Sequence, residues 1–201
     1  MCARLAPAGR DRGLVLVPGG GASADVVRDL DARFGLQPSS AHWMAVLAMD
    51  QYGLLLADLT PGAEVVRSID EARERLDGGS GVVVLLPSEP LRTADPLPHS
   101  WSVTSDSIAA WLTGQLHSRL LVLLKDRHGM AVLTAALADG APGVVTRAEI
   151  AASRGVDGHL AELLGDASFD LWAIDGDHPE RLTELLETGN TQGVRLAPRV
   201  P

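Results

Sequence analysis

The sequence predicts an α/β protein whose mainly parallel sheet is covered by helices on both faces. Short apolar runs, typical of buried strands, alternate along the chain with longer segments of helical periodicity. The run at 81–86 is apolar almost throughout, which is typical of a strand buried on both faces. The 201 residues show no internal repeat and no obvious linker, so we expect a single domain.

The predicted elements follow one another in a regular order. Residues 1–12 look irregular. Strands are predicted near 13–17, 64–67, 81–86, 120–124, 171–174 and 193–197. Helices are predicted near 22–34, 41–58, 69–76, 105–116, 147–153, 158–164 and 179–187.

Glycine, serine and proline mark several of the boundaries. Gly35 follows the first long helix as a stop signal, and Ser39 or Ser40 is expected to cap the next one. Pro179 suits the first position of its helix. The segment 87–98 is rich in proline, and we expect a loop there that serves as a lid or contacts a substrate.

Composition restricts the classes of function. Hydrophobic residues make up 46% of the chain and aromatic residues only 3%, so the core must be aliphatic. The net charge of −9 and a pI near 5.0 argue against nucleic acid as a partner. The single cysteine, Cys2, excludes an internal disulfide framework. No signal-peptide pattern or membrane-spanning run stands out, so we expect a cytoplasmic protein that does not act on membranes.

The most informative segment is a glycine loop between a strand and a helix. The strand residues Leu14–Val17 are followed by Pro18 and then by Gly19, Gly20 and Gly21, where helical periodicity begins. This arrangement directs free backbone N–H groups and the positive end of a helix at an anion, although a tight turn without a ligand fits equally well. The spacing matches neither the Walker motif nor the Gly-x-Gly-x-x-Gly dinucleotide motif.

Two further clusters carry candidate functional groups. Thr104, Ser105 and Asp106 surround a helix start, where an N-cap and a first-turn carboxylate explain part of the pattern. Lys125 and Asp126 follow an apolar strand, at the strand end where α/β proteins gather ligands. Lys125 is also the only lysine among 17 basic residues.

A third segment, residues 41–53, is an apolar helix that carries His42 and Asp50. Small residues along it indicate a core or subunit-interface helix. For His42 and Asp50, hydrogen-bonded structural roles are favoured over membership of a site.

Taken together, these segments resemble the amino acid kinase superfamily, which includes aspartate, glutamate and uridylate kinases. The resemblance covers Gly13 to the C-terminus. Its strongest parts are VPGGGASADVVR, AHWMAVLAMDQYG and VTSDSIAAWL. The last two are similar to the branch that contains the methanofuran-biosynthesis kinase.

The resemblance implies a three-layer αβα sandwich with two halves, residues 13–118 for the phosphoryl acceptor and 119–201 for the nucleotide. It implies an ATP- and Mg²⁺-dependent kinase that transfers a phosphoryl group in line, without a covalent intermediate. Gly19, Gly20, Gly21, Thr104 and Ser105 would bind the acceptor. Asp106 and Lys125 would be the catalytic residues, and Lys125 and Asp126 would bind the nucleotide. A homodimer formed through the acceptor half is also implied.

One departure from the superfamily concerns the opening strand. Its members begin with a strand that ends in a Lys-x-Gly-Gly-Ser loop, whose lysine stabilises the transferred phosphoryl group. The present sequence has no such loop, so the resemblance implies a fold without its first strand. It also implies that this 201-residue chain binds ATP weakly and turns over slowly.

Three functions remain open at this point. The first is a small-molecule kinase acting on a phosphate or carboxylate acceptor, for example a precursor of a methanofuran-type C1 cofactor. The second is a nucleotide-binding or oligomeric relative that keeps the scaffold and has lost phosphoryl transfer. The third, a Rossmann-type dinucleotide enzyme, lacks its glycine motif and its ribose-binding acid.

Overall fold

A computed structural model describes residues 2–135, 149, 152–165 and 168–196. The chain divides into two compact units, residues 2–108 and 109–201, which are taken in turn. The α/β fold class predicted from the sequence is confirmed in both units.

The first unit is built on a three-stranded parallel sheet in the order β1-β3-β2. The strands are β1 (Gly13–Leu16), β2 (Glu64–Val66) and β3 (Gly81–Leu85). Leu16 of β1 lies opposite Val84 of β3. The central strand β3 is buried from its second residue onward, as the apolar run in the sequence predicts.

Helices surround this sheet. In chain order they are α1 (Cys2–Ala8), α2 (Gly21–Phe34), α3 (Pro38–Leu59), α4 (Ile69–Leu76), α5 (Ser88–Ala94) and α6 (Ser105–Gln115), which continues past residue 108. Gly35 ends α2 in the left-handed conformation, with φ of 61°, and its N–H donates to the Asp31 carbonyl at 2.8 Å. This is the stop signal that the sequence predicted.

The start of α3 differs from the prediction. The helix begins at Pro38 and its N-cap is the extended residue Gln37, not Ser39 or Ser40. Proline at the first helical position needs no N–H partner and already has a helical φ. It therefore set the boundary earlier than the serines would have done.

Two helices of the first unit were not predicted. The sequence indicated irregular structure where α1 forms and a proline-rich loop where α5 forms. Pro90 lies in the first turn of α5, where a missing N–H costs nothing. The start of α5 is fixed by Asp50 of α3, whose Oδ1 accepts from the Ser88 N–H at 3.2 Å and whose Oδ2 accepts from the Ser88 hydroxyl. Asp50 thus has the structural role that the sequence favoured.

The second unit has its own three-stranded sheet in the order β4-β5-β6. Its strands are β4 (Leu120–Lys125), β5 (Asp170–Asp175) and β6 (Val194–Leu196), with β4 parallel and β6 antiparallel to β5. Its helices within the described ranges are α7 (Arg127–Ala135), α8 (Leu160–Leu163) and α9 (Glu180–Thr188). The helix predicted near 147–153 lies largely outside the described residues, and α7 was not predicted.

One expectation about the strands is wrong. The apolar runs at 14–17, 82–86 and 120–124 were expected to be neighbours in one sheet. The first two are neighbours, but β4 pairs with β5 along its whole length, in a separate three-stranded sheet. An apolar run shows that a strand is buried, whereas its partner depends on contacts that the run itself does not encode.

None of the helices in the described part of the chain is long and apolar enough to cross a membrane.

Candidate functional site

A cavity of about 530 Å³ lies within the first unit, and the residues predicted to bind the acceptor come together there. Its volume suits a small organic ligand. Five predicted residues line it: Gly19, Gly20, Gly21, Thr104 and Ser105. They come from sequence positions more than 80 residues apart, from the end of β1 and the start of α6.

The glycine loop forms one end of this cavity. Gly20 is the N-cap of α2, and Gly21 has a φ of +51°, a conformation that favours glycine. A Cβ added at Gly21 would overlap the ring of Tyr52 on α3, and one at Gly19 would lie 3.7 Å from the Ser105 hydroxyl. The glycines therefore allow the backbone to fit closely between α3 and the start of α6, as an anion-binding loop requires.

The start of α6 supplies polar groups to the same end. Thr104 and Ser105 line the cavity, while Asp106 in the first helical turn is only 7% exposed. Both Asp106 and Thr104 take part in polar interactions within the protein. Asp106 is therefore a buried carboxylate next to the cavity. Its burial fits a role in positioning other groups better than direct contact with a ligand.

One face of α3 forms an apolar wall. Ala41, Ala45 and Met49 line the cavity at helical spacing, and Val103 and Ile108 add apolar surface from around the start of α6. The alanines leave room for a ligand where larger side chains would fill the space.

The sequence analysis missed three charged residues of α2 and one tryptophan. Asp25, Arg28 and Asp31 line the cavity at intervals of three residues, on one face of α2, and Trp101 lines it from the loop before α6. Arg28 Nη1 lies 2.7 Å from Asp25 Oδ1, and its guanidinium lies 5.0 Å from the Trp101 ring centre. The three-residue spacing directly after a glycine loop was a signal that could have identified them.

Asp31 joins α2 to two other segments of the cavity wall. Its Oδ2 accepts from Trp101 Nε1 at 2.7 Å, and its Oδ1 accepts from the Leu36 N–H at 3.0 Å. The indole is thus held from α2 by a charge-assisted hydrogen bond.

His42 also lines the cavity, which the sequence analysis did not favour. Its ring stacks on His99 with ring centres 4.4 Å apart and planes inclined by 16°. His99 is anchored on both ring nitrogens, by Ser39 Oγ at 3.0 Å and Asp95 Oδ1 at 2.8 Å. Burial and, to a smaller extent, nearby His99 lower the pKa of His42, and Asp95 opposes them.

In the second unit, Lys125 and Asp126 lie at the end of β4, as predicted. The Lys125 carbonyl accepts from the Gly176 N–H at 2.7 Å, next to Asp175, the residue that lies opposite Lys125 on β5. Asp126 Oδ1 accepts from the Gly129 N–H at 2.7 Å, so this carboxylate caps α7. Asp175 had not been predicted, and its carboxylate lies 3.8 Å from Arg181 Nη1.

No cluster of three histidine, cysteine or carboxylate residues able to hold a metal occurs in the ranges that the structure describes. A magnesium ion held mainly by the phosphates of a ligand would need only one or two carboxylates from the protein. Asp126 and Asp175, at the ends of β4 and β5, are single carboxylates that could serve in this way.

No protein-family model matches this chain. A curated relative is the [5-(aminomethyl)furan-3-yl]methyl phosphate kinase of Methanocaldococcus jannaschii, which is 29% identical over 179 residues, 87% of this chain and 79% of the relative.

Solved structures of uridylate kinases share the fold. That of Archaeoglobus fulgidus has a TM-score of 0.66 at 16% identity, covering 98% of this chain and 90% of its own. That of Ureaplasma parvum has a TM-score of 0.64 at 15% identity, over 91% and 81%. That of Bacillus anthracis has a TM-score of 0.61 at 13% identity, over 94% and 97%.

These likenesses indicate a phosphotransferase. With the glycine loop and fold described above, they agree with the resemblance found in the sequence: the chain has the α/β fold of the uridylate kinases and is similar to a methanofuran-biosynthesis kinase.

Proposed function

We propose that this protein is an ATP-dependent kinase whose acceptor is a small phosphate monoester similar to the aminomethylfuran methyl phosphate named for its relative. The observation that carries the proposal is the cavity that collects the glycine loop, Thr104 and Ser105. Backbone N–H groups at a helix start bind phosphate well, and the apolar wall of α3 suits a flat organic body.

In the proposed reaction, the first unit holds the acceptor and the second binds ATP. N–H groups of Gly19–Gly21 and the hydroxyls of Thr104 and Ser105 bind the acceptor phosphate. One acceptor oxygen attacks the γ-phosphorus of ATP, a new P–O bond forms, and the bond to the β-phosphate oxygen breaks with its electron pair, releasing ADP. Bound Mg²⁺ would neutralise charge on the nucleotide phosphates.

The charged side chains have distinct proposed roles. Lys125 stabilises negative charge on the transferring group, and Asp106, which is buried at the start of α6, is a positioning residue. Asp126 contributes to the nucleotide site through the turn that it caps before α7. Because the chain has one lysine, Arg28 is a further candidate for binding the acceptor phosphate.

A coupled assay of ADP release tests this proposal. Candidate acceptors are aminomethylfuran methyl phosphate, UMP and a small carboxylate such as glutamate, each with ATP and Mg²⁺. We expect turnover with a phosphate monoester and none with the carboxylate. Nucleotide binding without ADP release for any acceptor would contradict the proposal. It would favour the second function considered above, a nucleotide-binding protein that keeps the scaffold and has lost phosphoryl transfer.

We also propose that the protein is a homodimer that forms through α3. Leu54 and Leu55 are 50% and 47% exposed, and Leu47 and Leu59 on the same helix are also exposed. Burying such leucines on a second copy would be favourable. Light scattering at micromolar concentration should give the dimer mass, and Leu54→Asp should give the monomer. A monomeric unmodified protein would contradict this assembly.

A further inference from the structure

The cavity has two chemically different ends. Gly21 contacts Tyr52, and Gly53 lies against Pro18, so the glycine loop packs on the second half of α3. His42 is ten residues before Tyr52 on the same helix. At 1.5 Å per residue, these positions are about 15 Å apart along the helix. An acceptor whose phosphate occupied the glycine loop and whose body followed the α3 wall of the cavity would point towards His42.

The end of the cavity near His42 contains a buried imidazole available for a ligand. His42 is 8% exposed and lines the cavity. Neither of its ring nitrogens has a hydrogen-bond partner in the part of the chain that the structure describes, in contrast to the doubly anchored His99. Because the ring lines the cavity and its nitrogens are not among the fully buried unpaired atoms of the described residues, a ligand in the cavity can reach them and supply the missing hydrogen bond.

The charge at this end favours a positive partner. Asp31 lines the cavity and can accept further hydrogen bonds, since each carboxylate oxygen has two lone pairs and accepts one bond from the protein. Arg28 is paired with Asp25, so Asp31 leaves an excess negative charge beside the cavity. A neutral imidazole always offers one nitrogen lone pair as an acceptor.

We propose that His42 and Asp31 form an amine-binding subsite, in which His42 accepts a hydrogen bond from the protonated amine of the acceptor and Asp31 provides the opposite charge. This inference rests on the proposed function. It assigns the selection of the acceptor to residues far from the glycine loop, on the first turns of α3 and the last turn of α2.

Binding of two matched ligands tests the subsite. The first is aminomethylfuran methyl phosphate, and the second is its isostere with a methyl group in place of the amine. Calorimetry should give a dissociation constant about tenfold or more lower for the amine, as expected for hydrogen bonds to a charged group. His42→Phe, which keeps the stack on His99, should abolish most of this difference and leave the affinity for the isostere unchanged.

Asp31→Asn provides a second variant in case the histidine substitution disturbs folding, and it too should reduce discrimination. Gln51→Ala, exposed on the same helix as His42 and outside the cavity, is the matched control and should discriminate between the two ligands as the unmodified protein does.

Equal binding of the two ligands by the unmodified protein, or discrimination that survives in both variants, would overturn the subsite and leave the kinase proposal standing. Turnover of UMP but not of the amine would have the same consequence. Absence of ADP release with every phosphate monoester would overturn the proposed function, and this inference with it.

Discussion

The candidate sites of the two units are built differently. In the first unit, the candidate site is largely backbone: three glycines open α2, and hydroxyls at the start of α6 face them. In the second unit, the candidates are side chains at the ends of β4 and β5, namely Lys125, Asp126 and Asp175. A backbone site is encoded in a short stretch of sequence, whereas a side-chain site depends on which strands become neighbours.

The consequence is visible in the second unit. Asp126 has the residue type expected for a nucleotide site, yet its Oδ1 is occupied by the Gly129 N–H at the start of α7. Lys125 is held next to Asp175 by strand register. The glycine loop of the first unit can therefore be recognised from local sequence, whereas the role of each candidate side chain in the second unit depends on its neighbours in the fold. Substitutions in the two units test this difference.

The largest expected effect is at Lys125. Lys125→Ala should lower kcat about 10²–10³-fold, because a charge that stabilises the transferring group is lost. Lys125→Arg should recover part of the activity. ADP release measured at saturating acceptor gives the comparison.

The control for this substitution is Arg127→Ala. Arg127 is close in sequence, its side chain is 85% exposed, and its nearest partner Asp177 is 3.9 Å away. We expect kcat to be unchanged in this variant. If Lys125→Ala also retained full kcat while remaining folded by circular dichroism, Lys125 would have no part in transfer.

The second effect concerns the glycine loop. Gly21→Ala should weaken acceptor binding about tenfold, because it displaces N–H groups that would bind a charged phosphate. It should also lower stability, since the residue has a φ of +51° and a Cβ would overlap Tyr52. Calorimetry with the acceptor and thermal unfolding measure the two consequences.

Gly35→Ala is a matched control at the other end of the same helix. Its φ of +61° imposes a similar backbone cost of roughly 1–2 kcal/mol, but nothing lies within 4 Å of an added Cβ. Stability should fall and acceptor affinity should not. Equal loss of affinity in the two variants would mean that the glycine loop acts only through stability.

The same contrast explains how far the sequence could predict the structure. The glycine loop, β3 and the stop at Gly35 follow from local patterns, and all appear as expected. Helix α5 does not, because its start depends on Asp50, 38 residues earlier. The stack of His42 on His99 likewise joins residues far apart in the chain. Local periodicity carries no information about such pairs, so the polar end of the cavity was missed.

A smaller effect should follow when Asp50 is replaced. Asp50→Ala leaves the Ser88 N–H at the start of α5 without its carboxylate partner, which should cost about 1–3 kcal/mol of unfolding free energy. Acceptor affinity should change little, since Asp50 caps α5 and does not line the cavity. Asp58→Ala, exposed on the same helix, should alter neither quantity. If Asp50→Ala lost acceptor binding at normal stability, Asp50 would be part of the binding site and not only a structural residue.

The smallest effect is a change in the pH dependence of stability at His42. Burial lowers the pKa of His42 below its ordinary value of 6.5, so the unfolded chain takes up this proton more readily than the folded protein. The neutral form of His42 therefore contributes fully to the unfolding free energy above about pH 6.5. This contribution decreases as the pH falls from 6.5 to the folded pKa, and below the folded pKa His42 causes no further change in stability with pH. His42→Gln should remove this component, so its unfolding temperature should decrease less than that of the unmodified protein as the pH falls below 6.5. Gln51→Ala, exposed on the same helix and carrying no titratable group, should leave the profile unchanged. If the unmodified protein and His42→Gln gave parallel profiles, the cavity would hold His42 in a water-like environment, and the imidazole would not be the desolvated group that the amine-binding subsite requires.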